Sequence, residues 1–134
     1  AGKGEKGSAN NTHISFEFCE PAGHTYQGGT MIGYDVEKNE AYFRAIYQNA
    51  VALCADLCRQ FGLDPTQPGV VICHAESSKL GIASNHADVL HWWPKHGVTM
   101  DDFRAAVKAA MAEYLKQAGN AAPASWSQQA RTWA

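Results

Sequence analysis

Four of the six histidines, His74, His86, His91 and His96, fall within 23 residues, and Asn85, Asp88 and the pair Trp92–Trp93 lie among them. Imidazole nitrogens and carboxylate oxygens are the donors that zinc takes, and a catalytic zinc uses three protein ligands plus a water. His74 and one of His86 and Asp88 could supply two such ligands. The spacing is not the HExxH of a helical zinc site, so spacing alone leaves a second reading open, in which the histidines pack and hydrogen-bond around the two tryptophans. Glu17 is the other reactive candidate. It lies on the polar side of an alternating segment, where a carboxylate can take a proton from an activated water. The alternative for Glu17 is a solvated polar face.

These residues need elements to hold them. In residues 13–20, HISFEFCE, Ile14, Phe16 and Phe18 alternate with His13, Ser15, Glu17 and Cys19, which predicts a strand with one apolar face. Glycine and proline make 21–35 a loop. Tyr42, Ile46, Ala50, Leu53, Leu57 and Phe61 recur at helical spacing and predict a helix over 36–61. Cys54 and Cys58 widen its stripe and Gly62 stops it. VVICH at 70–74 predicts a buried central strand with His74 at its carboxyl end, where α/β folds place ligands. Residues 75–98 read as irregular, with short helical turns near 78–82 and 90–95. Thr99 caps a second helix with Asp101 and Asp102 in its first turn, and Phe103, Val107, Ala110, Met111, Tyr114 and Leu115 form its stripe. The order predicts an α/β fold, a small mixed central sheet flanked by helices.

The chain has 134 residues, 46% of them hydrophobic and 18% charged, enough apolar material for a core. A net charge of −2 favours neither nucleic acid nor an anionic membrane as partner. No apolar run approaches the ~20 residues of a membrane span. Residues 1–12 are polar and glycine-rich and do not read as a secretory signal, which implies synthesis in the cytoplasm. The four cysteines lack framework spacing and read as reduced, buried thiols.

Three segments carry a resemblance. NNTHISFEFCEP resembles the N-x-x-S-I-G-I-E-L-x-G strand of the zinc-dependent N-acetylmuramoyl-L-alanine amidases, the type-2 amidase and peptidoglycan-recognition superfamily. VICHAESSKLGIASNHADVLHWWPKHG resembles the ligand loop of phage and prophage endolysins of that superfamily, and TMDDFRAAVKAAM its closing helix. The resemblance spans nearly all of 1–117. It implies a peptidoglycan hydrolase that cuts the amide between N-acetylmuramic acid and L-alanine of the stem peptide. His74 and Asp88 would be zinc ligands and Glu17 the general base. His86, standing where the family has lysine, would stabilise the oxyanion. Asn85, His91 and Trp92 would line the substrate groove. Ser15, Cys73 and Ser77 depart from the family's usual residues.

The resemblance also places the family's first histidine ligand upstream of Ala1. Residues 1–117 would then be the C-terminal portion of the catalytic domain, 118–125 a linker, and 126–134 the start of a surface-layer-homology-like wall-binding module. The implied partner is bacterial peptidoglycan, reached from the cytoplasm after release. A non-catalytic peptidoglycan-binding fragment, or one half of a nicked amidase with an N-terminal companion fragment, are the alternatives.

Overall fold

The computed structural model describes residues 2–120, with the backbone alone at Asn120. Two long helices dominate. Helix α1 spans Val36–Phe61, the range its periodicity predicts. The Asp35 carboxylate accepts from the Lys38 N–H at 3.0 Å and caps its start. Gly62, at φ 64°, takes the left-handed conformation that ends it. Helix α3 spans Met100–Asn120, with the short helix α2, His74–Lys79, between them in sequence. A reciprocal pair opens α3: the Asp102 N–H donates to Thr99 Oγ1, and the Thr99 N–H donates to the Asp102 carboxylate. Helix α3 runs through Asn120, three residues into the segment expected as linker. The rest of that linker and the wall-binding module lie outside the described residues.

The core forms between α1, α3 and the turn Trp93–His96, around Phe43, Trp92, Trp93, Phe103 and Val107. Trp93 meets Phe103 edge-on at 5.1 Å and Phe18 at 5.3 Å, an arrangement aromatic quadrupoles favour. The buried face of α1 keeps Ala50, Cys54 and Cys58 of the expected stripe and departs from the rest. Phe43, Ala50, Cys54, Ala55 and Cys58 are buried, whereas Tyr42, Leu53 and Phe61 are exposed. Both stripes have helical spacing. Three cysteines are buried as expected, but Cys19 is exposed. Burial pushes the Cys54 thiol up to about 12, so it stays protonated.

The expected central sheet is corrected. Among the described residues the only sheet is an antiparallel hairpin, β1 Thr25–Gln27 and β2 Thr30–Ile32, pairing Tyr26 with Met31. It lies inside the segment read as a loop. Gly28 and Gly29, at φ 57° and 82°, supply the two positive φ values that a two-residue hairpin turn requires. Residues 13–20 form no strand, and Ile14 and Phe16 are exposed. A strand is made by ladder bonds, and here the Cys19 carbonyl instead accepts from the Tyr42 hydroxyl at 2.7 Å. Residues 70–73 are not a strand either, because turn and cap bonds take up their backbone groups. The Val70 N–H donates to Gln67, the Cys73 N–H to the Glu76 carboxylate, and the Val71 carbonyl accepts from Arg104 Nε. His74 therefore opens a helix rather than ending a strand.

Candidate functional site

The first two residues of helix α2 are pinned to the two ends of the loop 84–88. The Ala75 N–H donates to the Asp88 carbonyl at 3.1 Å, and His74 Nε2–H donates to the Ser84 carbonyl at 3.0 Å. The turn leading into the loop is backed by the N-terminal segment: the Lys6 N–H donates to the Gly81 carbonyl and the Ala9 N–H to that of Ile82. Gly4 permits this approach, since a Cβ there would stand 2.3 Å from the Gly81 carbonyl oxygen. These bonds bring His74, His86 and Asp88 together, with one donor atom from each within 4.8 Å of the others. The His74 and His86 rings lie 4.8 Å apart, and His86 Nδ1 is 3.9 Å from Asp88 Oδ2.

The donor set fits a zinc ion. It offers two imidazoles and a carboxylate, all borderline or hard donors. A carbonyl only accepts, so the bond to Ser84 places a proton on His74 Nε2 and makes Nδ1 the atom that would take a metal. Metal-binding histidines are commonly oriented in this way. The His86 and Asp88 side chains are 62% and 54% exposed, open to an incoming ligand. Beside them lies an open cleft of about 580 Å³, bordered by Asn85, His86, Lys79, Ser78 and the Gly28–Gly29 turn.

The other expected site residues fall elsewhere. Glu17 is exposed, and among the described residues no three-ligand group includes it. Trp92 is only 1% exposed and donates its indole N–H to the Tyr34 hydroxyl at 2.8 Å, so it belongs to the core and not to a groove. His91 is also covered, with its side chain 7% exposed and Nε2 2.5 Å from Glu20 Oε1. Asn85 alone of the three expected groove residues borders the cleft.

Sequence reasoning missed Glu20 and His24. The Glu20 carboxylate accepts from the Tyr26 hydroxyl and from His91, and it lies 3.3 Å from His24 Nε2. Burial works to raise the Glu20 carboxyl, but the hydrogen bonds from Tyr26, His91 and His24 outweigh it and hold it below the usual range. Burial and the facing Glu20 carboxylate together push the Tyr26 hydroxyl well up. One signal was available: Glu20 shares the parity of Ile14, Phe16 and Phe18, and an acid in apolar register needs partners.

No curated protein and no solved structure matches the chain. The family model described as N-acetylmuramoyl-L-alanine amidase does match, over residues 1–96, a span that contains the His74–His86–Asp88 cluster and the cleft beside it. The chain therefore belongs to the N-acetylmuramoyl-L-alanine amidase family, enzymes that hydrolyse peptidoglycan.

Proposed function

We propose that this domain is a zinc-dependent peptidoglycan amidase of the endolysin type, from a phage or prophage. It would cut between the lactyl group of muramic acid and L-alanine, and reach the wall after release from the cytoplasm. The observation that carries the reading is the convergence of His74, His86 and Asp88 on one point beside an open cleft. His74 and Asp88 would hold the ion, with Ser84 fixing the tautomer of His74. Zinc bound there would supply Lewis acidity and make water acidic enough to attack near neutral pH.

The chain's own residues would do the rest. Asn85 and Lys79, at the cleft border, offer N–H donors to a peptide carbonyl or carboxylate. His86, largely exposed, would offer an N–H to the oxygen that becomes negative during attack. Its place in the cluster supports a second role, as a third ligand. Glu17 is proposed as proton acceptor on the resemblance of its segment to the family strand. The test is digestion of purified peptidoglycan. Release of free amino groups without new reducing ends, lost with chelator and restored by zinc, is expected. New reducing ends would indicate a glycosidase. Muropeptide binding that survives chelation with no amino groups released would indicate a recognition domain. Either outcome overturns the proposal.

A further inference from the structure

His91 lies between two carboxylates. Its Nε2 is 2.5 Å from Glu20 Oε1 and its Nδ1 is 3.3 Å from Asp88 Oδ1, with the side chain 7% exposed. Glu20, Asp88 and His91 bring donor atoms within 4.8 Å of one another, as a second cation site would. The Glu20 oxygens, however, already face the Tyr26 hydroxyl, His91 and His24, and a cation would have to displace these partners. Two buried ring nitrogens of this group, His24 Nδ1 and His91 Nδ1, lack an aligned hydrogen bond, and that of His91 faces Asp88.

Asp88 has the opposite problem. Its backbone is pinned to Ala75, but its carboxylate is half-exposed and has His86 Nδ1 on one side and His91 Nδ1 on the other. A carboxylate free to turn must be ordered when it takes up a ligand, and that ordering weakens binding. A rigid donor beside it removes part of the cost. His91 is rigid because Glu20 braces it, and Glu20 is tied in turn to the hairpin through Tyr26 of β1.

We propose that His91 is a positioning residue, held by Glu20, that sets the Asp88 carboxylate for a divalent cation shared with His74 and His86. Each ring nitrogen of His91 faces a carboxylate oxygen, Nε2 that of Glu20 and Nδ1 that of Asp88. The proposal rests on the reading of His74 and Asp88 as metal ligands. It differs from the expected role of His91 in the groove, because a side chain this covered offers little surface to a substrate.

The test is Co(II) titration of the 134-residue chain, followed by its visible absorption. Asparagine places an amide N–H near the position of Nδ1, whereas glutamine reaches toward that of Nε2. His91→Gln is therefore expected to weaken binding about 10- to 100-fold, the usual loss for an outer-shell partner, and to shift the cobalt bands. His91→Asn should recover most of the affinity, and Glu20→Gln should lose less than His91→Gln. Thermal unfolding of the metal-free variants separates a folding defect from a site defect. Equal affinity in the Asn and Gln variants, whether lowered or unchanged, would overturn the proposal. So would two cobalt equivalents in the wild type with one lost in both His91 variants, which would make this a second cation site. If His74→Ala binds cobalt as the wild type does, the ligand reading itself fails, a result distinct from failure at His91.

Discussion

Two histidine–carboxylate groups in this molecule differ in what their hydrogen bonds leave over. In the core, Trp92 donates to the Tyr34 hydroxyl, the hydroxyl is 2.6 Å from His96 Nε2, and His96 Nδ1 bonds to Glu40. Phe43 stacks on the His96 ring at 4.1 Å. The His96 side chain is fully covered, and both of its nitrogens have partners. At the cleft, His74 has one nitrogen bonded to Ser84, and His86 and Asp88 are open to solvent. The residue types are alike. The core group is saturated by protein partners and so contributes to stability, whereas the cleft group keeps donor atoms for something that is not protein.

The largest effect expected from breaking this contrast is at the cleft. His74→Ala should reduce amide cleavage to background and abolish tight zinc binding, measured by amino-group release and by metal content after dialysis. Its unfolding free energy should fall by only about 1 kcal/mol, the usual worth of one hydrogen bond, here that to Ser84. Trp92→Ala should act in the opposite sense. It should cost about 3–5 kcal/mol in denaturant unfolding, the usual penalty for removing a buried indole, and the remaining folded fraction should still bind zinc.

Tyr34→Phe sharpens the contrast with one atom. It removes the acceptor for Trp92 Nε1 and the partner of His96 Nε2, and should cost about 1–3 kcal/mol by chemical denaturation with zinc affinity unchanged. A change in zinc affinity would show that the two groups are coupled.

The smallest effect is in the acid limb of stability. The hydrogen bond from His96, then that from Arg44, holds the Glu40 carboxyl below its usual value of 4.5. A carboxyl lowered in the folded state adds stability that is full above the unfolded value and fades as pH falls through the folded one. Melting temperature should therefore fall less between pH 5 and pH 3 in Glu40→Gln than in wild type. An equal fall in both would remove Glu40 from the account.

Much of this was legible from local pattern. The bounds of α1, its Gly62 stop and the Thr99 cap follow from signals a few residues long, whereas the short helical turns expected near 78–82 and 90–95 lie at 74–79 and 93–96. The concentration of His74, His86 and Asp88 was legible as composition. The strands were not. Alternation in 13–20 and the apolar run 70–74 report two faces and a buried environment, but they do not say which backbone groups will pair. Turn, cap and side-chain bonds took those groups instead. The hairpin was hidden because three-residue strands around Gly28–Gly29 carry too little pattern to separate from a loop.

The sequence by itself determined where α1 starts and stops and where α3 starts, and that a zinc-type donor set lies within one short stretch, because caps, periodicity and donor chemistry are local properties. Tertiary structure alone decided which histidines serve the core and which the cleft. It buried Trp92, stacked His96 on Phe43, closed His91 between Glu20 and Asp88, and left His74, His86 and Asp88 facing one another. The physical reason is that a histidine's role depends on which of its two nitrogens finds a partner. Here those partners, such as Tyr34 and Glu40 for His96 and Glu20 for His91, lie more than fifty residues away along the chain.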